Sequence, residues 1–199
     1  ALGMEYAKKC NADLLLATDP DCDRVGIAVK NKAGEYELLT GNQIGCVLLH
    51  YILSTKQKQG TLPKKGAAVK SIVSTSLANK IAASFGVEMF ETLTGFKFIG
   101  EKIQQFQDTG SHTFLFGFEE SYGFLAEDFV RDKDSVSAIS LMAEIAAWAK
   151  DKGLNMTDML IDIYMKYGFS REKGISLVRK GKSGAEEIIA LMKQFRENP

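Results

Sequence analysis

Apolar positions along the chain follow two patterns, short continuous runs and stripes recurring every three or four residues, and each change of pattern marks a new element. Asp13 to Ala17 (Asp-Leu-Leu-Leu-Ala) and Val25 to Val29 (Val-Gly-Ile-Ala-Val) are short apolar runs of the kind buried strands show. Thr40 to Lys58 reads as the clearest helix: Ile44, Val47, Leu48, Tyr51 and Ile52 fall on one stripe, and Thr40 with Gln43 forms a capping-box start. Gly60, Pro63 and Gly66 mark a basic loop. Val69 to Val73 then predicts a buried strand, Thr75 to Phe85 a short helix and Val87 to Glu91 the next strand. A turn at Gly95 leads into a helix near Ile99 to Phe106, followed by a strand at Thr113 to Phe118. Ser135 to Lys150 predicts a long helix with Ile139, Met142, Ile145 and Ala149 on one face, closed by Gly153. Asn155 to Tyr167 predicts another, with Leu160, Ile163 and Tyr164 inward. Beyond Gly168 the pattern predicts a basic strand, Gly174 to Lys180, and a last helix, Ala185 to Glu197. Strands alternating with helices favour a layered α/β fold.

A chain of 199 residues holds one full core of ~100 to 150 residues and a substantial remainder. Lys plus Arg equals Asp plus Glu at 25 each, so no overall field draws the chain to nucleic acid or to a membrane surface. The longest apolar stretches fall far short of the ~20 residues that a membrane span needs, and the first residues lack the basic-then-apolar order of a signal peptide. Cys10, Cys22 and Cys46 fit neither a disulfide framework nor a zinc site, and read as reduced thiols of a cytoplasmic protein. The chain starts without Met and stops at Pro199, as expected of a piece of a longer polypeptide.

The candidate chemistry sits between the first two strands, in Asp19-Pro20-Asp21-Cys22-Asp23-Arg24. Three carboxylates on alternate residues can converge on one side of an extended or tightly turning backbone. Unbridged, they repel each other. A divalent cation that prefers oxygen, Mg²⁺ first, relieves the repulsion and keeps open positions for water or a phosphate oxygen, beside a fixed guanidinium from Arg24. A calcium helix-loop-helix needs Gly at the sixth position and Glu at the twelfth, where this chain has Arg24 and Lys30. The bland alternative is an acidic surface turn. Cys22 reads as a small filler, since Mg²⁺ disfavours sulfur.

Two further turns lie just past strand ends, where open α/β sheets place their ligands. In Thr94-Gly95-Phe96-Lys97, glycine allows close backbone approach, the ring offers a face for a sugar, and the lysine offers charge for a phosphate. Read alone, the segment is also a plain strand-to-helix connection. In Gly117-Phe118-Glu119-Glu120-Ser121-Tyr122-Gly123, carboxylates and a hydroxyl can bind vicinal sugar hydroxyls. The alternative there is a helix N-terminus with acidic residues matching the dipole. His50 and His112, on a helix and in a loop without acidic company, are expected to play no chemical part.

The order of these segments, Asp19 to Arg24, Thr94 to Lys97, Gly117 to Ser121 and then Arg131-Asp132-Lys133-Asp134, resembles the α-D-phosphohexomutase superfamily, most closely its phosphoglucomutase members, over nearly the whole chain. The resemblance implies an α/β fold, a three-layer α/β/α arrangement with a mixed β-sheet plus partial flanking segments. It also implies a parent of four domains around a cleft. Residues 1–34 would close the second domain, 35–166 form the third, and 167–199 begin the connection to the fourth. Asp19, Asp21 and Asp23 then look like Mg²⁺ ligands, and Arg24 like the arginine near the reactive phosphate. Thr94, Gly95, Phe96 and Lys97 fall on the sugar-specificity loop. Glu119 and Ser121 match the groups holding hexose O3 and O4, and Lys133 a lysine near the substrate that assists proton transfer.

The reaction implied is reversible transfer of a phosphoryl group between O1 and O6, converting glucose 1-phosphate to glucose 6-phosphate through a phosphoserine and glucose 1,6-bisphosphate. Many phosphomannomutase-type members carry His where this chain has Gly123, which leans the expectation toward glucose. Phosphomannomutase, phosphopentomutase and a non-catalytic sugar-phosphate or metal-binding module stay open as alternatives. No segment like the phosphoserine loop of the family's first domain or the phosphate loop of its last is present, so these 199 residues are expected to need domains 1 and 4 and to be inactive alone.

Overall fold

The computed structural model describes residues 2–198. The chain opens with a helix, α1 (Leu2–Lys9), and a three-stranded antiparallel sheet of β1 (Leu14–Thr18), β2 (Val25–Lys30) and β3 (Tyr36–Leu38). Register runs from Leu14 opposite Val29 to Thr18 opposite Val25, so the acidic segment is the bend of the β1–β2 hairpin. Val25, Ile27 and Val29 alternate inward and are all but fully buried, which fixes the pairing, because a slip of one residue would turn that face outward.

Next come α2 (Gly41–Lys58), β4 (Gly66–Ser71), α3 (Leu77–Ser84), β5 (Glu88–Thr92), α4 (Phe96–Thr109), β6 (Thr113–Glu119) and β7 (Gly123–Leu125). They are followed by α5 (Ser135–Asp151), α6 (Met156–Tyr167) and α7 (Gly181–Glu197). The second sheet has the order β5-β4-β6-β7, parallel except for β7, which returns antiparallel beside β6. Helix α4 covers one face with Phe96, Ile99, Ile103 and Phe106, while α2, α3, α5 and α6 cover the other. The mixed sheet and three layers are those expected. Helix α5 also packs on β1 and β2, so one core runs beneath both sheets.

A bulge decides which side chains fill which layer. Ala67 pairs with Phe114 but Ala68 with Phe116, which leaves Leu115 as the extra residue. Without that slip, Phe114, Phe116 and Phe118 would share a face. With it, Phe114 joins the α4 side while Phe116 and Phe118 stack at 5.7 Å on the α2 side. Burial of one such ring contributes roughly 1.5–3 kcal/mol.

Helix α2 starts as its sequence predicts: Thr40 Oγ1 accepts from Gln43 N at 3.3 Å, and Gln43 Oε1 accepts from Thr40 N at 2.9 Å. Gly41 lets this helix approach the β6–β7 turn so closely that a Cβ there would lie 2.0 Å from Glu120 O.

Several expectations are corrected. The strand read at Val69 to Val73 runs over Gly66–Ser71, because the chain turns at Ser71, whose carbonyl accepts from Ser74 N, and leaves Ile72 and Val73 exposed. Gly174 to Lys180 forms no strand: Ile175, Leu177 and Val178 are exposed, and alternation without a partner edge makes no ladder. Helix α7 begins at Gly181 rather than Ala185. The Gly117 to Gly123 segment is a turn, as read, and not the alternative helix start: it is the bend of the β6–β7 hairpin, three residues long and closed by Tyr122 at φ 70°. His112 does have acidic company, since its Nε2 lies 3.0 Å from Glu88 Oε2.

Candidate functional site

The two sheets meet at their loops. Val25 N donates to Tyr122 O at 3.1 Å, and Arg24 forms a bridge with Gly123, which holds the β1–β2 bend against the β6–β7 bend. Ser135 N, at the start of α5, donates to Cys22 O at 3.2 Å. The acidic bend is thus held by the β6–β7 bend on one side and by the start of α5 on the other.

Within it, Asp19, Asp21 and Asp23 each present an oxygen within 4.8 Å of the others. Strand alternation does not produce this convergence. Cys22 does, by taking the left-handed conformation at φ 57° while its N–H closes a turn onto Asp19 O at 3.1 Å. Cys22 and Tyr122 are both non-glycine residues in the left-handed region, one in each of the two adjoining bends, and such conformations cost of order 1–3 kcal/mol.

Two cations, Arg24 and Lys133, flank the triad and meet at Asp23. Asp19 Oδ1 accepts from Arg24 N at 3.0 Å and its Oδ2 from Arg24 Nε at 2.8 Å. That backbone amide, together with the guanidinium, holds the Asp19 carboxyl below the usual carboxylate range. Lys133 Nζ sits 2.9 Å from both Asp23 Oδ2 and Asp132 Oδ1. Burial pushes Lys133 down, but the two carboxylates outweigh it, so its ammonium is favoured. The remaining Asp23 oxygen, Oδ1, is buried and accepts no hydrogen bond, its nearest cation being Arg24 Nε at 3.5 Å. Three converging carboxylates beside only two cations, Arg24 and Lys133, leave the bend short of positive charge. The all-oxygen donor set fits a hard divalent cation.

Lys133 reaches this position because Gly123 has no side chain, since a Cβ there would lie 2.4 Å from Lys133 Cδ. Its ammonium also rides 5.4 Å from the centre of the Phe96 ring. Phe96 is 4% exposed and packs beside Ala67, Val69 and Ile99. Its ring therefore seats α4 and offers no open face, which corrects the expectation of a sugar-facing ring. Thr94 and Lys97 are exposed, and Gly95 N donates to Glu119 Oε1 at 2.6 Å. This bond clamps the Thr94–Lys97 loop to the end of β6. Glu119 is 8% exposed, whereas Ser121 is open to solvent and lines a cleft of about 350 Å³ with Asp19 and Arg24. A larger groove, about 450 Å³ between α2 and α5, shares no residue with the acidic bend.

All the residues singled out in the sequence thus lie on three adjoining loops and the α5 approach. Ser71, Ser74 and Lys70 escaped sequence reading, and Glu120, read with Glu119 as a carboxylate for sugar hydroxyls, instead accepts from Ser71 and Ser74. Lys70 left one signal, a charge inside an otherwise apolar strand.

A mixed three-layer α/β/α domain, with an acidic hairpin bend beside two polar loops at the sheet's edge, places the chain among layered α/β proteins. The family model for phosphoglucomutase/phosphomannomutase, alpha/beta/alpha domain III, matches residues 40–167. The chain belongs to that family. It is 43% identical over 197 residues to a phosphoglucomutase of Staphylococcus aureus (strain USA300), covering 98% of this chain and 34% of that protein. It therefore spans about a third of the length of the curated relatives that it matches. In fold it is similar to a Thermus thermophilus protein assigned as a phosphomannomutase, with TM-score 0.66 and 22% identity over 85% of this chain and 35% of that one. It is also similar to an N-acetylphosphoglucosamine mutase of Aspergillus fumigatus solved with glucose 1,6-bisphosphate, with TM-score 0.55 and 16% identity over 81% of this chain and 36% of that one. Among the described residues no helix is long and apolar enough to cross a membrane.

Proposed function

We propose that this chain is the metal-loop and sugar-reading part of a cytoplasmic phosphoglucomutase. The whole protein would interconvert glucose 1-phosphate and glucose 6-phosphate through a phosphoserine and glucose 1,6-bisphosphate. The observation that carries the reading is the convergence of Asp19, Asp21 and Asp23, with a buried Asp23 oxygen that accepts no hydrogen bond. In this reading residues 1–34 close the second domain, 35–166 are the third, and 167–199 lead to the fourth.

The three aspartates would hold Mg²⁺, which supplies neutralising charge for phosphoryl oxygens as the bond to the transferred group loosens. Arg24 uses its Nε and backbone N–H on Asp19, and so holds its guanidinium rigidly at the cleft mouth, aimed for a phosphate. Lys133, held as an ammonium, donates to a phosphate or sugar oxygen rather than accepting a proton, because a general base needs a lowered value. Glu119 and Ser121 accept and donate to sugar hydroxyls, while Thr94, Gly95 and Lys97 shape the wall opposite. Hydroxyl readers of this kind serve either orientation of a bisphosphate, as a turnaround between O1 and O6 requires.

The test uses the full-length protein with glucose, mannose and ribose 1-phosphates, with and without Mg²⁺. Conversion fastest with glucose and dependent on the metal is expected. Mannose or ribose preference would replace the substrate, and no turnover with any of them would remove the reading. Residues 1–199 alone are expected to bind Mg²⁺ in calorimetry but to catalyse nothing. Asp21→Asn, which changes an exposed side chain, should weaken that binding at least tenfold, about 1.4 kcal/mol, without lowering the thermal midpoint.

A further inference from the structure

Between the two proposed sugar-reading carboxyl and hydroxyl groups, Glu119 and Ser121, lies Glu120, whose side chain turns the other way, toward β4. Its Oε2 lies 3.0 Å from Ser71 Oγ and 3.2 Å from Ser74 Oγ, and the two hydroxyls are 2.8 Å apart. Each hydroxyl has one proton, so either both donate to the carboxylate or one does so while accepting from the other. Both serines are buried, at 0% and 5% exposure.

From Ser74 the connection continues. Its carbonyl accepts from Lys70 Nζ at 3.1 Å, and the same ammonium pairs with Glu91 Oε1 at 3.0 Å. Lys70 is 1% exposed, and an ammonium buried so deeply costs several kcal/mol unless each proton has a fixed partner. Glu91, opposite Lys70 in the β4–β5 register, is the penultimate residue of β5, and the chain then runs straight into Thr94–Lys97. Glu91 is further pinned by Asn79 Nδ2 at 2.9 Å. The loop after β5 and the bend after β6 are therefore joined twice: directly by Gly95 N to Glu119, and beneath by Glu120, Ser71 and Ser74, Lys70 and Glu91.

We propose that Glu120 is a positioning residue for sugar recognition: anchored on Ser71 and Ser74, it fixes the bend that presents Glu119 and Ser121, and through Lys70 and Glu91 it couples that bend to the Thr94–Lys97 loop. Its role in catalysis rests on the mutase reading above, whereas the mechanical coupling does not. Neighbours in sequence explain the division of labour. Successive side chains near a strand end point to opposite sides, so Glu119 and Glu120 face different partners. Helix α2 completes the seat, because Gly41 lets its first turn press on the Glu120 carbonyl.

The experiment compares full-length wild type with Glu120→Ala and Glu120→Gln, by hydrogen exchange of peptides spanning 92–97 and by kcat and KM for glucose 1-phosphate. Glu120→Ala should speed exchange at Gly95 and raise KM about tenfold each, with kcat falling less than about threefold. Glu120→Gln, which keeps an oxygen for both hydroxyls, should stay within about twofold of wild type. Unchanged exchange across 92–97, or faster exchange with an unchanged KM, overturns the proposal. Should Glu120→Ala fail to fold, Ser74→Ala, which removes one hydroxyl and keeps the carboxylate, is read by the same criteria. If wild type turns over no hexose phosphate, the mutase reading falls, and exchange in the variants still decides the coupling.

Discussion

Lys133 Nζ and Asp23 Oδ2 stand 2.9 Å apart, an ion pair that ties the approach to α5 to the bend between β1 and β2. It satisfies one oxygen of Asp23, while the other accepts no hydrogen bond and has Arg24 Nε at 3.5 Å. The lysine also lies over Phe96, so one cation touches both the acidic bend and the helix that starts the Thr94–Lys97 wall.

Replacing this cation should change metal affinity in the direction opposite to activity. In Lys133→Met the stem still packs against Gly123, but the three carboxylates lose a neutralising charge. The metal-free protein should lose about 1 kcal/mol of stability, the worth of a partly buried pair. Added Mg²⁺ should raise the variant's melting temperature more than that of wild type. Equal metal-induced shifts in the two proteins would show that the ammonium does not contribute to the field at Asp23.

Gly123 is the steric counterpart of that pair. A Cβ would stand 2.4 Å from Lys133 Cδ and 2.9 Å from Cγ, yet the glycine has no positive φ, so alanine fits the backbone and only the lysine must move. Gly123→Ala should cost about 1 kcal/mol by overpacking, since the lysine stem can yield. The variant should resemble Lys133→Met in its response to Mg²⁺, and a melting curve with and without the metal checks both statements.

His50 carries the acid sensitivity of the α2–α6 layer. Burial, helped by Lys166 and Lys58, lowers it from the ordinary 6.5 to about 4, and its ring sits edge-on between Phe85 and Tyr167. Between pH 6.5 and 4 the unfolded chain binds a proton that the folded one refuses. Stability is therefore full above pH 6.5 and falls as the pH drops toward 4. After allowance for partial exposure the loss is about 2 kcal/mol. Urea unfolding of wild type and His50→Gln at pH 7.5 and 4.5 should show a smaller drop in the variant. A His50 ring signal titrating near 6.5 by NMR would contradict this.

The helices and the acidic bend were legible because their signals are local. Thr40 and Gln43 are three residues apart, and the α5 stripe repeats within one helix. Asp19, Asp21 and Asp23 crowd so closely that a turn was bound to gather them, although the means, a left-handed Cys22, left no mark in the sequence. What stayed hidden is non-local or too short to repeat. Strand β7 is three residues long, less than two periods of alternation. The Leu115 bulge depends on which strand lies alongside. Lys70 meets Glu91 across the parallel β4–β5 pairing, and His112 meets Glu88 from beyond the intervening β4, neither of which spacing along the chain can reveal. Phe96 read as a ligand face because an aromatic residue in a glycine turn carries no statement of its own burial.

Glu119 has two tasks that one substitution can separate. One oxygen accepts the Gly95 N–H at 2.6 Å and so holds the Thr94–Lys97 loop, and the carboxylate's remaining capacity is available to a sugar hydroxyl. Glu119→Gln keeps an amide oxygen for Gly95 and replaces the other acceptor by a donor. The loop should stay in place, with hydrogen exchange at Gly95 within about twofold of wild type, while binding of glucose 1-phosphate weakens by about 1.5–3 kcal/mol, the value of a hydrogen bond to a charged group. Glu119→Ala removes both tasks, so Gly95 should lose protection and sugar binding together. If Glu119→Gln bound the sugar phosphate as tightly as wild type, the carboxylate would be a loop clamp alone, and sugar recognition would pass to Ser121 and the exposed side chains of the opposite wall.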